Sequence, residues 1–440
     1  MLDILAHKVY RHLFLAQALA LLGTGLATVA LSLLAFDLAG ADAGAVLGTA
    51  LAIKMLAYIG VAPIAAALIE RLPRRKVLVL LDLVRAALAL ALPFVTQIWQ
   101  VYVLIFLLQA ASAAFTPAFQ ATVVNALPDE RDYTKALSLS RLAYDLESLL
   151  SPMLAALLLT LVSFHSLFGG TALGFLASAA LLVSVLLPPA SAPTKRGILD
   201  RTTRGLRIYL ATPRLQGLLA LNLAIAAGGA MVIVNTVVLV QSGLGLTQSA
   251  TAFALASFGA GSMLVALALP SLLERVPERR AMLAGASLTV LGLLAGGLLA
   301  SSFALLLGLW FVLGMGYSLA QTPAARLLRR SSAEADRPAL FAAQFALSHA
   351  CWLLTYPLAG WLGAQFGQAV VFATLAALAA GAVLLSLRLW PKNDPLEVPH
   401  RHDELEPGHP HLGTIAPGQA RADEHSHAFV IDDMHPRWPR

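Results

Sequence analysis

The sequence predicts an all-α membrane protein of twelve transmembrane helices, built as two six-helix bundles related by a pseudo-twofold axis. Three observations carry that prediction. Hydrophobic residues make up 58% of the 440-residue chain and charged residues only 12%, against about 25% charged in soluble domains; mean hydropathy is +0.77. Apolar runs of about 20 residues, the length that crosses about 30 Å of hydrocarbon as a helix, recur before residue 391. The second half of the chain also repeats features of the first: LIERLPRRKV at 68–77 returns as LLERVPERRA at 272–281, TPA at 116–118 returns at 322–324, and Ser151-Pro152 returns as Tyr356-Pro357. Matches in register over a period this long indicate duplication.

The first bundle is expected over residues 1–187, with spans at 13–36, 43–69, 77–96, 99–125, 136–162 and 166–187. Continuous apolar runs such as Leu149–Val162 exclude the alternating ten-residue strands of a barrel. Residues 188–213, basic and rich in Pro and Thr, form a cytoplasmic linker expected to lie along the membrane surface. The second bundle, 214–390, holds spans at 215–241, 249–273, 281–300, 303–328, 341–365 and 368–390. Six is even, so both halves enter with one orientation, as in a parallel repeat about the membrane normal. Two such halves can rock around a central site. Residues 391–440 are polar and Pro-rich and are expected to form a disordered tail.

Of 30 basic residues, all but Lys54, Arg85 and Arg141 fall at the termini or in loops on one side. The positive-inside rule makes that side, with both termini, cytoplasmic. Topology accounts for the pI near 9.6, so no nucleic-acid partner is called for. The first apolar run is too long for a cleavable signal, and the lone Cys351 forms no intramolecular disulfide or CxxC centre. No Gly-rich nucleotide loop or Ser/His/Asp set is present. The expectation is a monomeric non-enzyme without a cofactor, whose partners are lipid, protons and divalent metal ions.

The turn at Ala66, Glu70, Arg71, Leu72, Pro73, Arg74 and Arg75 resembles the signature loop of the major facilitator superfamily. It keeps the acid and the bases, with other residues at both glycine positions. The resemblance implies the major facilitator fold and a conformational latch of Glu70, Arg71, Arg74 and Arg75. Asp82 and Arg85 are expected to join it, and Glu274 and Arg275 repeat it. Ser151–Ala156 is similar to the proline kink of the superfamily's antiporters. SAAFTPAFQATVVNALP from Ser112 resembles a subgroup that includes enterobactin and macrolide exporters.

A charge at the bilayer centre costs at least about 2.5 kcal/mol, so each intramembrane polar residue calls for a reason. Arg141 and Asp145 stand four apart and can pair on one helix face. Glu147 has no partner on its own helix, and Lys54 can supply one. An acid that changes protonation is what proton coupling requires, so Glu147, with Asp145 and Arg141 beside it, is the candidate; a structural ion pair is the competing reading. Lys54, Tyr58 and His349 are placed in the substrate pathway. The repeat offset sets His349 opposite Tyr144, at the depth of Asp145 and Glu147. Imidazole and carboxylate suit first-row divalent metals, although a lone buried His is more often structural.

Seven of the 11 His lie from residue 400 onward: His400, His402, His409, His411, His425, His427 and His435. Residues i and i+2 of an extended chain point to one side, so each HxH pair can offer two imidazoles, and such tracts read as metal-binding. This tail on a twelve-span chain resembles the nickel-resistance exporters of the Nre type. The resemblance implies proton-driven antiport of Ni²⁺, with Co²⁺ as second candidate, out of the cytoplasm across a bacterial inner membrane; the metal would be substrate and tail ligand. Export of an organic molecule (a siderophore, macrolide or other drug) and a membrane metal sensor remain as alternatives.

Overall fold

The computed structural model describes residues 2–69, 72–127, 129–186, 198–333, 336–394, 397–401, 424–432, 434–435 and 437–439. Up to residue 390 every described element is helical. The first half contains α1 (Lys8–Ala39), α2 (Ala43–Ile69), α3 (Arg74–Ala91), α4 (Ile98–Ala126), α5 (Glu130–Leu158) and α6 (Phe164–Val183). After α7 (Ile198–Ala211), the second half contains α8 (Pro213–Val237), α9 (Gln248–Leu273), α10 (Glu278–Leu299), α11 (Phe303–Gln321), α12 (Ala324–Arg330), α13 (Arg337–Phe366) and α14 (Gln368–Leu389). Among the described residues, ten stretches are long and apolar enough to cross a membrane, one of them holding α1 and α2 together. Helix α5 is outside that set because Glu130, Arg131, Asp132, Lys135, Arg141, Asp145 and Glu147 interrupt it.

The pseudo-twofold is visible in which helices pack. Helix α1 packs on α5 and α6, α2 on α4, and α3 on α4 and α6; correspondingly α8 packs on α13 and α14, α9 on α11, and α10 on α11 and α14. The halves meet along α2 with α13 and along α5 with α9, two interfaces that the same axis exchanges. Pro152 in α5 and Pro357 in α13 occupy equivalent interior positions, where each removes one helical hydrogen bond.

Three expectations change in detail. The span predicted at 303–328 is one apolar stretch, Phe303–Arg330, with a turn between α11, ending at Gln321, and α12, beginning at Ala324, because Pro323 has no N–H to continue the ladder. The linker is not merely a surface segment. Its α7 turns Gly205, Ile208 and Tyr209 inward on one face, and an added Cβ at Gly205 would lie 2.0 Å from the Ala339 carbonyl oxygen. Arg204 grips Asp336 with two hydrogen bonds, Nε–Oδ1 2.5 Å and Nη2–Oδ2 2.9 Å, and the Tyr209 hydroxyl donates to Gln344. The linker helix is thus fastened to the start of α13.

The tail is the third correction. Strands β1 (Glu397–Arg401) and β2 (Glu424–Ala428) pair antiparallel, and Phe429 and Ile431 are buried in the main core. Trp438 packs against that core as well. Judged by its own composition the tail cannot fold alone; the second bundle supplies the apolar surface that it lacks.

Candidate functional site

Glycine opens the place where the central acid sits. A Cβ added to Gly25 of α1 would lie 2.0 Å from Ser151 Oγ and 2.8 Å from Glu147 Oε1, so α5 seats both side chains in a notch that only glycine allows. Glu147 and Lys54 of α2 are close enough to interact electrostatically. Both are half-buried within the helical bundle, where leaving one charge without a partner costs more than pairing it or neutralising it with a proton. Lys54 also lines a cavity of about 20 Å³ with Thr24, Thr28, Gln109 and Ser112. That is room for about one water; Gln109 Oε1 is buried there without a hydrogen-bond partner.

Tyr58, one turn beyond Lys54, connects the halves. Its ring lies 5.6 Å from His349 and 5.9 Å from Phe345 on α13, and it interacts electrostatically with Tyr144, Arg85 and Glu147. His349 Nδ1 is 2.7 Å from the Phe345 carbonyl oxygen. A carbonyl only accepts, so Nδ1 carries the proton and Nε2 is left as the acceptor. His349 also feels the Lys54 charge. The structure therefore gathers Lys54, Tyr58, Glu147 and His349 into one cluster across the two halves. The side chains of Arg141 and Asp145 lie outside the described residues.

Asp82 and Arg85 lie on α3, as expected, but turned inside the first bundle, 0% and 4% exposed. They pair with each other, Ser178 Oγ donates to Asp82 Oδ2 at 2.7 Å, and the guanidinium lies over Phe115 and Phe175 at 4.0 and 4.4 Å. Ser178, Phe115 and Phe175 fix this pair as a core ion pair, which corrects the latch expectation for these two residues. Of the rest, Arg75 donates to the Val183 carbonyl of α6, Arg74 is half-buried, Glu274 and Arg275 are exposed, and Glu70 and Arg71 lie outside the described residues.

On the side away from the termini, glycines bring the halves together. A Cβ at Gly360 would lie 2.1 Å from the Gly44 carbonyl oxygen, one at Gly48 would lie 2.5 Å from that of Tyr356, and Trp361 Nε1 donates to Thr49 Oγ1 at 3.0 Å. Such backbone contact seals α2 against α13 there.

In the tail, the strand register sets His400 opposite His425 and Val398 opposite His427. The side chains of His400, His425 and His427 are outside the described residues, as are His402, His409 and His411 entirely. Among the described residues no group of three or more His, Cys, Asp and Glu is poised to hold a metal. His435 is buried, with Nδ1 2.8 Å from Asp432 Oδ1 and its ring edge-on to Phe429 at 4.8 Å. Burial pushes the Asp432 carboxyl up, but hydrogen bonds from the backbone and ring of His435 and the backbone of Met434 outweigh it and hold the acid below its ordinary range. His435 thereby acts as a tail fastener through Nδ1.

Sequence reasoning missed several participants. Gly25 carried no visible signal beyond its repeat mate Gly229, and Arg214, Asp394 and Trp438 belong to segments that only folding brings together.

A family model described as Major Facilitator Superfamily matches residues 13–269 and 218–414. The uncharacterised MFS-type transporter YfiS of Bacillus subtilis (strain 168) is 26% identical over 220 residues, 48% of this chain and 52% of that protein. The chain thus spans about half the length of that curated relative. Solved structures share the fold. They include the nucleoside transporter NupG (TM-score 0.67, 12% identity, 87% of this chain and 100% of that one). An occupied, inward-facing bacterial homologue of the human lysosomal transporter Spinster gives TM-score 0.69 at 12% identity, over 87% and 96%. A D-xylose–proton symporter gives 0.65 at 14%, over 88% and 98%.

Proposed function

Because the chain belongs to the Major Facilitator Superfamily, we propose that it is a proton-coupled secondary transporter in which two bundles alternate access to the Lys54–Glu147 cluster. The observation that carries the reading is the grouping of these charges: the Glu147 carboxylate sits in a glycine-made notch within electrostatic reach of the Lys54 ammonium on another helix, with Tyr58 and His349 on the seam between halves. Protonating Glu147 releases Lys54, and deprotonating it restores the pair; either change alters the charge balance at the seam. Neutralisation of a buried pair is a strong conformational bias because an uncompensated buried charge is costly. The sealed α2–α13 contact near Gly44 and Gly360 is then one end state of the cycle, closed on the side away from the termini.

For cargo we favour a divalent transition metal, Ni²⁺ before Co²⁺, moved outward across a bacterial inner membrane with both termini in the cytoplasm. The support is the concentration of His in the tail and the register that sets His400 opposite His425, which presents imidazole-rich backbone on the side where metal would be gathered. The remaining tail imidazoles would capture the ion, and the bundles would transport it. A second reading, export of an organic molecule, draws on one specific observation: Lys54 lines the central cavity and its charge favours an anionic cargo over a bare cation.

The test is growth of a metal-sensitive bacterium in graded Ni²⁺, Co²⁺, Zn²⁺ and Cu²⁺, with cell metal measured in parallel. Full-length protein should confer resistance to Ni²⁺ or Co²⁺ and lower accumulation, truncation after Trp390 should weaken it, and Glu147→Gln should remove it. Equal growth and equal metal content with and without the expressed protein would overturn the metal reading and leave the organic one.

A further inference from the structure

The strongest feature outside the central cluster lies where the tail docks. Arg214 begins α8 and is 2% exposed, yet neither its Nε nor its Nη2 has a hydrogen-bond partner. It lines a cavity of about 310 Å³ together with Pro391, Asn393, Asp394, Val398 and Trp438. The Trp438 ring centroid is 4.9 Å from the guanidinium carbon, so the tail covers the cation with an aromatic face.

Among the described residues, guanidinium groups outnumber carboxylates at this site. Asp394 faces Arg214 (Nε–Oδ1 3.5 Å) and Arg330 (Nη1–Oδ2 3.4 Å) and accepts from Trp390 Nε1 at 3.1 Å, while Glu278, whose charge also reaches Arg214, is engaged by Arg326 at 3.2 Å. Another guanidinium, Arg279, donates Nε to the Trp390 carbonyl at 3.1 Å and keeps Nη2 buried without a partner. A buried guanidinium whose N–H groups are incompletely satisfied is expensive, and one that lines a cavity matches the acceptors of an oxyanion. The site also lies at the N-terminus of a 25-residue helix, the positive end of its dipole.

We propose that the Arg214–Trp438 pocket binds a phosphate or carboxylate group, and that the bound anion holds the folded tail against the second bundle. The anion bonds to the Arg214 guanidinium at the cavity wall while Trp438 closes over it, so filling the pocket and docking the tail reinforce each other. The source is either a free anion or a lipid headgroup, both presenting the same oxygens.

The experiment titrates inorganic phosphate into the purified full-length protein in phosphatidylcholine nanodiscs, reading heat of binding and thermal stability. A parallel arm omits phosphate and includes phosphatidylglycerol. Expected is saturable binding of phosphate, weakened at least about ten-fold by Arg214→Gln and several-fold by Trp438→Leu, as for loss of charge-assisted hydrogen bonds. Asp394→Asn removes the competing carboxylate and should tighten binding, an effect that a purely structural role would not produce. If the headgroup is the natural occupant, phosphatidylglycerol gives the same Arg214-dependent stabilisation and suppresses phosphate binding. Should Arg214→Gln fail to fold, the opposite responses of Trp438→Leu and Asp394→Asn still decide. Absence of saturable phosphate binding and of phosphatidylglycerol stabilisation, or unchanged affinity in every variant, would overturn the proposal.

Discussion

Two glycine notches, equivalent under the pseudo-twofold, hold opposite kinds of side chain. In the first half, Gly25 on α1 admits Glu147 and Ser151 of α5; in the second, Gly229 on α8 admits the Trp352 indole of α13, whose ring atom would lie 2.3 Å from an added Cβ. The backbone requirement is shared, since in both halves the first helix thins to let the fifth approach. The chemistry is not: Lys54, Asp82, Arg85 and Glu147 correspond to Phe258, Ala286, Thr289 and Trp352 in the second half. One half buries these charges, and its twin carries uncharged residues at the same places.

The largest break in that contrast comes from Asp82. Asp82→Asn leaves Arg85 buried and unpaired, so it should cost about 3–5 kcal/mol. Ser287→Ala, beside the equivalent Ala286, should stay within about 0.5 kcal/mol; thermal unfolding of both variants in detergent makes the comparison. Next come the notches. Gly25→Ala and Gly229→Ala should each destabilise by about 1–3 kcal/mol through overpacking. Ser151→Gly should rescue the first and leave the second unchanged, as read from melting temperatures of the single and double variants.

The tail gives smaller effects. Truncation after Trp390 removes Phe429 and Ile431 from the core and should lower metal resistance several-fold without abolishing it, a loss comparable to other removed auxiliary binding contacts; dose–response growth curves measure it. Smallest is the pH response of tail docking. The Asp432 carboxyl is held below its ordinary range, so its contribution is complete above that range and is lost as pH falls through the depressed value. Tail protection from protease should therefore weaken in acid, and less so in Asp432→Asn, which has already lost it.

Much of this architecture was legible in the sequence. The twelve long helices, the repeat and the proline pair at Pro152 and Pro357 follow from apolar length and a constant offset, signals that survive in one dimension. Lys54 and Glu147 were legible because a charge inside an apolar run stands out. What escaped depends on contact between distant segments. Asp82 and Arg85 read from the sequence as partners of the cytoplasmic latch, and only folding shows Ser178, Phe115 and Phe175 around them. The tail resembles a free polymer until the second bundle offers Phe429 and Trp438 a surface. Pro323 breaks its helix while Pro117, in the matching TPA, does not, and the local sequence does not distinguish the two.

The central claim, that the ionisable notch and not its apolar twin couples protons, is tested most directly in proteoliposomes loaded with a pH-sensitive dye and given a Ni²⁺ gradient. The account predicts proton counterflow in the wild type, lost by at least about ten-fold in Glu147→Gln and kept within about two-fold in Trp352→Phe. Counterflow preserved in Glu147→Gln would contradict it.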